Sequence, residues 1–346
     1  MTTTVIDVKT HNVITTLPVG EPIFIQNIFT PDGKLAYVVN QDEGTVSVID
    51  VKTHTVISSV QVGTFPADLA FTPDGKVAYV TNSSSSTVSV IDVKTHNVIA
   101  TIPVVVQPGS ISISPDGKLA YVTNFGFSNS SISVIDTKTH SVIATVNVPF
   151  SNVKGPLPTL TFSPDGKLVY HKNSSSPDSF ITVVDTTTHS VITTITVGNL
   201  SPDLAFTPDG KLVYVTDFSS TGTVSVIDVK THTVISSVQI GSFPSNLAFT
   251  SDGKVAYITH SNSDFISVID VKTHIVISSV QIGSSQSVVD FTPDGKLAYV
   301  TNNEPLGTVS VIDVKTHSVI ATILVGFPFG SVAFTPDGKL AYVVET

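Results

Sequence analysis

The chain repeats one unit of roughly 43 residues eight times within its 346 residues, and this repeat limits the possible folds more than any other feature. Each unit contains the phrase "PDGK" or "SDGK". Its glycines are Gly33, Gly75, Gly117, Gly166, Gly210, Gly253, Gly295 and Gly338. Each unit also contains "VIDVKTH" or a variant. Its aspartates are Asp7, Asp50, Asp92, Asp136, Asp185, Asp228, Asp270 and Asp313.

Each unit reads as four short β-strands, which we call A to D in chain order. In one unit "DLAF" (Asp68–Phe71) precedes the turn phrase "TPDG", and "KVAYV" follows it. "TVSVID" then alternates with a period of two, and the tight turn "VKTH" leads into "TVISSVQVG". Because Val, Ile, Thr, Tyr and Phe dominate and no segment has a 3.6-residue apolar period, the pattern predicts an all-β fold.

The phrase "YVTN" (Tyr79–Asn82, Tyr121–Asn124, Tyr299–Asn302), together with "PDGK" and "VSVID", resembles the YVTN-repeat β-propeller family of surface-layer-type proteins. The resemblance covers nearly the whole chain. It implies four-stranded antiparallel blades, with strand A nearest the axis and strand D outermost.

The chain starts with strands C and D and ends with strands A and B. We expect these halves to pair as an eighth blade that closes the ring. Seven blades with two unpaired hairpins are the alternative, which would leave strand edges rich in Val and Ile exposed. The whole chain, residues 1–346, is then a single propeller domain. Its expected blades span about 21–62, 63–104, 105–148, 149–197, 198–240, 241–282, 283–325, and 326–346 with 1–20.

Most histidines and aromatic residues recur at fixed positions, which favours structural roles. Eight of the ten histidines lie in the C–D turn, where we expect positive φ, and the separation of these turns opposes a shared metal site. All eight tyrosines lie in strand B, and seven phenylalanines lie in strand A, as core residues. The exceptions are His171 and His260, which stand at or near B–C loops.

The B–C and D–A loops, which we call the loop end, vary between units, whereas the A–B and C–D turns, the turn end, are nearly identical. Sixteen of the 27 acidic residues and fifteen of the 17 lysines belong to the turn phrases, so the excess negative charge falls at the loop end, with eleven phenylalanines. This face is either a solubilising surface with inward-packed phenylalanines or a binding surface for a basic or apolar protein or peptide. Its candidate binding residues, with the channel mouth, are Glu21, Asp68, Phe125, Phe127, His171, Asp203, Asn246, His260, Asp264, Asp290, Phe327 and Phe329.

Small and polar residues alternate along strand A, as expected for a wet central channel. Three successive blades supply Asp203, Asn246 and Asp290, whose oxygen atoms suit Ca²⁺. The alternative is a water-filled channel with scattered polar side chains and no cofactor.

Composition removes several function classes. The chain has no cysteine, and no apolar run is long enough to cross a membrane. Arginine is absent too, so no basic patch exists for nucleic acid. Because we assemble no catalytic set, we expect a non-enzymatic binding scaffold and a monomer. The alternative is a Ca²⁺-dependent, lactonase-like hydrolase with its metal in the channel. The family resemblance favours an extracytoplasmic location, with any signal peptide absent from this sequence.

Overall fold

The computed structural model of the protein describes residues 2–18, 28–126, 130–149, 159–173, 179–198, 203–303, 307–326 and 331–345. These residues form β-strands, turns and loops and contain no helix that could span a membrane.

The strands follow one another in a regular order along the described residues. The first half of the chain contains β1 (Thr2–Asp7), β2 (Asn12–Pro18), β3 (Ile28–Phe29), β4 (Leu35–Asn40), β5 (Thr45–Asp50), β6 (Thr55–Gln61), β7 (Pro66–Phe71), β8 (Val77–Asn82), β9 (Thr87–Asp92), β10 (Asn97–Pro103), β11 (Pro108–Ile113), β12 (Leu119–Phe125), β13 (Ser130–Asp136), β14 (Ser141–Val148), β15 (Leu160–Phe162) and β16 (Leu168–Asn173). The second half contains β17 (Phe180–Asp185), β18 (Ser190–Thr196), β19 (Leu204–Phe206), β20 (Leu212–Asp217), β21 (Thr223–Asp228), β22 (Thr233–Gln239), β23 (Pro244–Phe249), β24 (Val255–His260), β25 (Phe265–Asp270), β26 (Ile275–Gln281), β27 (Gln286–Phe291), β28 (Leu297–Asn302), β29 (Thr308–Asp313), β30 (Ser318–Leu324), β31 (Val332–Phe334) and β32 (Leu340–Glu345).

These strands form eight four-stranded antiparallel sheets, and the fold is an eight-bladed β-propeller. Blades 1 to 7 use consecutive strands, from β3–β6 in blade 1 to β27–β30 in blade 7. Blade 8 has the order β2-β1-β32-β31, in which Thr2 lies opposite Glu345 and Asp7 opposite Leu340. The predicted pairing of the two chain ends is therefore confirmed, and the seven-blade alternative is wrong.

The chain divides into two compact units. One unit comprises Met1–Pro18 with Val197–Thr346 and contains blades 5 to 8. The other comprises Val19–Thr196 and contains blades 1 to 4. Within each unit the apolar residues of strands B and C are fully buried between successive blades, as in the cluster of Tyr79, Val88 and Val90 with Ile111 and Val122.

The turn-end phrases fold into two hydrogen-bonded turns. In the A–B turn the Asp32 carboxylate accepts hydrogen bonds from Thr30 Oγ1 at 2.8 Å and from the Lys34 amide at 3.1 Å. In the C–D turn all eight repeated histidines have φ between 50° and 58°, which confirms the predicted positive-φ position. These histidines also join blades, since Tyr257 Oη lies 2.6 Å from Nδ1 of His317 in the next blade.

Strand D exposes β-branched side chains at the outer edge of each blade. In blade 1 the pairing of β5 with β6 shifts register between Val48 and Ile49, so Ile57 forms a bulge and is 49% exposed. A bulge interrupts the ladder and makes an edge a poorer template for pairing with another chain. The exposed isoleucines are therefore compatible with an unpaired edge.

Candidate functional site

An Asn recurs at or next to the end of strand B in five blades, and in four of them its side chain donates a hydrogen bond to a serine of strand C. In blade 2 the Asn82 side chain donates hydrogen bonds to Thr87 Oγ1 at 3.2 Å and to Ser89 Oγ at 3.0 Å. Its Oδ1 accepts a hydrogen bond from the amide of Gly63, in the preceding D–A loop, at 3.1 Å. One side chain thereby fixes the D–A loop against strands B and C.

Blade 6 replaces this Asn by His260, which is buried and 2% exposed. Its Nδ1 donates a hydrogen bond to the Ser242 carbonyl at 3.1 Å, and its Nε2 lies 2.9 Å from Ser267 Oγ. Ser267 Oγ also lies 3.0 Å from the Ile240 carbonyl oxygen. Burial lowers the pKa of His260 below its usual 6.5, and the hydrogen bond to Ser242 raises it in part.

A cavity of about 320 Å³ opens beside this histidine. The cavity is lined by Ile240, Gly241, Ser242, His260, Ser263, Phe265, Ser267 and Ser279. None of these side chains carries a charge while His260 is neutral. Phe265 is 44% exposed, and the neighbouring Asp264 is exposed to solvent. The cavity is thus a polar, uncharged recess with one aromatic wall, Phe265, and the acidic Asp264 immediately precedes this phenylalanine in the sequence.

The D–A loop that closes the cavity is held in an unusual conformation. Gly241 has φ of 110° and Phe243 has φ of 51°. A Cβ on Gly222, in the adjacent B–C loop, would lie 1.6 Å from the Gly241 carbonyl oxygen, so only glycine permits this approach. The Phe243 ring packs on Phe218 with centroids 5.2 Å apart. The B–C loop of blade 5 therefore packs directly against the D–A loop that leads from blade 5 into blade 6.

Blade 2 presents a second aromatic residue in the same backbone conformation. Phe65 has φ of 56° and is 43% exposed. Its carbonyl accepts hydrogen bonds from the amide and the hydroxyl of Ser83, both at 2.9 Å. The equivalent positions of blades 3 and 7 are Gln107 and Ser285, which also have positive φ. The left-handed conformation is therefore a shared structural feature, whereas the aromatic side chain is particular to two of these four blades.

The predicted strand-A residues connect neighbouring blades. In blade 5 Asp203 Oδ2 accepts hydrogen bonds from Asn246 Nδ2 at 2.7 Å and from the Leu247 amide at 2.8 Å. Asn246 Oδ1 in turn accepts from the Val289 amide in blade 7 at 3.0 Å. In the other unit Asp68 Oδ2 accepts from the Ile111 amide at 2.9 Å. These side chains therefore hydrogen-bond each A strand to the A strand of the next blade.

The predicted calcium ligands fit Ca²⁺ poorly in this arrangement. Asn246 directs its amide nitrogen at Asp203 and its oxygen at a backbone amide, so neither carboxamide atom is presented as a free ligand. Asp290 Oδ1 accepts a hydrogen bond from the Phe291 amide at 2.8 Å, and burial raises the pKa of Asp290 to about 6. No cluster of three acidic or histidine side chains suited to a metal occurs among the described residues. The calcium hypothesis stays a prediction.

Two more predicted residues pack inward. The Phe125 ring covers Gly109, where a Cβ would lie 2.2 Å from it. His171 is 1% exposed, and its Nδ1 accepts a hydrogen bond from Asn173 Nδ2 at 3.1 Å. Burial, together with the smaller effect of the nearby Lys172 charge, lowers the pKa of His171 to about 3, so this histidine is neutral at physiological pH.

The structure thus brings together Asp203 with Asn246, and His260 with the chain segment that carries Asp264. The predicted residues Glu21, Phe127, Phe327 and Phe329 lie outside the described residues. Sequence reasoning missed the four serines around His260. The available signal was the replacement of the repeated Asn by His opposite a repeated Ser.

Comparison with known proteins supports the fold. A family model described as YNCE-like beta-propeller matches residues 31–337. No curated protein matches the chain. Kuenenia stuttgartiensis hydrazine synthase is 24% identical with a TM-score of 0.64, over 86% of this chain and 99% of that one.

Two further solved structures are similar at lower identity. Dihydro-heme d1 dehydrogenase NirN, in complex with DHE, has a TM-score of 0.80 and 17% identity, over 98% of this chain and 75% of that one. A functionally unknown protein from Desulfotomaculum acetoxidans DSM 771 has a TM-score of 0.64 and 16% identity, over 87% of this chain and 98% of that one. At these identities the three structures show a shared fold alone. The narrower YVTN-repeat resemblance stays a prediction.

Proposed function

The chain belongs to the YNCE-like β-propeller family, and we propose that it is a non-enzymatic binding scaffold whose loop end holds a protein or peptide. The partner is basic or apolar. It is attracted by the acidic loop end and anchored by exposed phenylalanine side chains.

The observation that carries this proposal is the exposure of Phe65. A bulky residue with positive φ is unusual, and here 43% of its surface faces solvent. Gln107 and Ser285 occupy the same backbone conformation in other blades, so the fold does not require an aromatic side chain there. An aromatic residue that is neither demanded by the backbone nor buried is a candidate anchor for a partner.

The charge distribution supports the same assignment. At the turn end each "DGK" aspartate pairs with the lysine two residues later, with N–O distances from 2.8 to 3.4 Å. At the loop end Asp42, Glu43 and Asp264 are exposed. Since the chain carries a formal charge of −10, its field at the loop end attracts cations.

Selection of peptides from a random library on the immobilised protein tests this proposal. We expect the enriched peptides to be rich in Lys or in large apolar residues. Their affinity should fall about tenfold or more in a Phe65→Ser/Phe265→Ser variant, because aromatic anchors dominate binding energies. The matched control is Ile143→Ser/Ile192→Ser, which removes side chains that are 50% and 46% exposed on strands D.

The control variant should keep its affinity within about twofold, since it lies outside the contact surface. Raising the salt concentration should weaken the binding of the basic peptides, because salt screens their electrostatic attraction to the loop end. If the library yields no enriched peptide, or if both double variants lose affinity equally, the loop end is not the binding surface.

A further inference from the structure

The three polar contacts around His260 need one more donated hydrogen than a neutral histidine and a serine can supply. Three contacts join the Ser242 carbonyl to Nδ1, Nε2 to Ser267 Oγ, and Ser267 Oγ to the Ile240 carbonyl. Each contact needs one hydrogen atom. A neutral imidazole and a hydroxyl supply one each, which makes two. Only an imidazolium would supply all three.

Burial favours the neutral form of His260 and so maintains this deficit. The cavity walls contribute no charged group that would stabilise an imidazolium, and the nearest acid in sequence is the exposed Asp264. The strands and loops that pack around the ring contribute Ile240, Gly241, Ser263, Phe265 and Ser279. Nδ1–H is donated to Ser242, and the single Ser267 hydroxyl hydrogen serves either Nε2 or the Ile240 carbonyl, so the other of these two atoms faces an oxygen lone pair.

Blade 7 has an amide in place of this imidazole. In blade 7 Asn302 Nδ2 donates a hydrogen bond to Ser310 Oγ at 2.9 Å, which leaves the serine hydroxyl free to donate onward. The shortage of one hydrogen among Nε2, the Ser267 hydroxyl and the Ile240 carbonyl therefore arises from the histidine that replaces Asn. It also coincides with the cavity of about 320 Å³.

We infer that the His260 cavity receives a primary ammonium group, as on a lysine side chain of the bound partner, which supplies the missing hydrogen to the Ile240 and Ser267 oxygens. This inference rests on the proposed binding function and names the partner's chemistry at one site. An ammonium presents three donors at one point and suits a small recess of converging oxygens, whereas a guanidinium requires planar, paired acceptors. The Phe265 ring provides an apolar wall for the alkyl stem and attracts the cation.

Protons compete with this ligand. An imidazolium at position 260 would supply the missing hydrogen itself and place a like charge beside the ammonium. Acidification through the pKa of His260 therefore releases the lysine. A carboxylate site also releases a cation on acidification, but there the cause is neutralisation of its own negative charge.

The test uses Nα-acetyl-lysine methylamide as the probe, with its Nε-acetylated counterpart as the uncharged control. Binding is followed by amide chemical-shift changes of Gly241, Ser263 and Phe265. We expect the charged probe to bind at least about tenfold more tightly than the acetylated one, as for a charge-assisted hydrogen bond. His260→Asn, which restores the residue of the other blades, should weaken binding about tenfold and abolish its pH dependence.

Ser310→Ala is the matched control, because it removes the equivalent hydroxyl from blade 7. It should leave probe affinity unchanged. Equal affinity for the two probes, or binding by the His260→Asn variant equal to wild type, would overturn the inference. Peptides selected on the loop end that bind equally well after lysine acetylation would also overturn it, while the proposed binding function would stand. If no peptide binds the protein at all, the proposed binding function is wrong, and the inference that rests on it is overturned with it.

Discussion

Replacing Asp68 by Asn should stabilise the protein at neutral pH and remove part of its pH dependence. Burial raises the pKa of Asp68 from 3.8 to about 6, although hydrogen bonds from Ile111, Leu69 and Ser110 lower it in part. The folded state therefore binds a proton more tightly than the unfolded chain does. Above pH 6 the carboxylate is ionised in both states, and its burial opposes folding.

The magnitude follows from this shift of about two pKa units, which corresponds to about 3 kcal/mol in the free energy of unfolding. An amide has one acceptor oxygen where the carboxylate has two, so the variant loses one backbone hydrogen bond, about 1 kcal/mol. The remaining oxygen can bond the Ile111 amide, as Asn246 bonds the Val289 amide at 3.0 Å. The expected net gain at pH 7.5 is about 2 kcal/mol.

Urea unfolding of both proteins at several pH values, followed by circular dichroism, measures this effect. As the pH falls from about 7.5 to about 3, below the pKa of 3.8 in the unfolded chain, wild-type Asp68 becomes protonated in both states and the cost of its burial disappears. The difference between variant and wild type should then fall by about 3 kcal/mol and change sign. A difference that is constant across this range would show that Asp68 titrates as an exposed acid, and the reasoning would fail.

Three further predictions follow from the contacts. Tyr257→Phe removes the hydroxyl that bonds His317 Nδ1 at 2.6 Å and should reduce the free energy of unfolding by about 1 kcal/mol, as measured by urea denaturation; no loss would show that this bond is not formed in solution. Burial lowers the pKa of His317, so its imidazole should titrate below the usual value of 6.5 in an NMR pH titration, and a midpoint at or above 6.5 would contradict this. Calorimetric titration with Ca²⁺ should give no heat with wild type, because Asn246 is engaged by its neighbours, whereas heat that disappears in Asp203→Ala would support the calcium hypothesis.

The blades were predictable because each depends on local phrases. The "DGK" turn, the "VKTH" turn or a variant of it, and alternating strands recur along the chain, so each of the eight copies independently predicts the same four-stranded unit. The pairing of the chain ends followed from the incomplete units at each terminus. The left-handed histidines followed from their place as the last residue of the four-residue C–D hairpin turn, where His is among the tolerated non-Gly residues.

The site was less predictable, because its parts come from different elements. His260 is recognisable as an exception to the repeat, but the cavity depends on the D–A loop at Ile240–Ser242 and on Ser279 of strand D. Likewise, the pattern marks Asp203 and Asn246 as polar residues of strand A. Whether they present oxygen atoms to a ligand or bond the next blade depends on interstrand distances, which no sequence pattern contains.

Amide hydrogen exchange on the protein with a library-selected peptide bound is the most direct test of the loop end as the binding surface. The account predicts added protection at the amides around Phe65 and within residues 240–243 and 263–265, with no change at the turn-end phrases around Gly33, Gly75 and Gly253. Protection that falls at the turn end, or along the outer strands D, would contradict it.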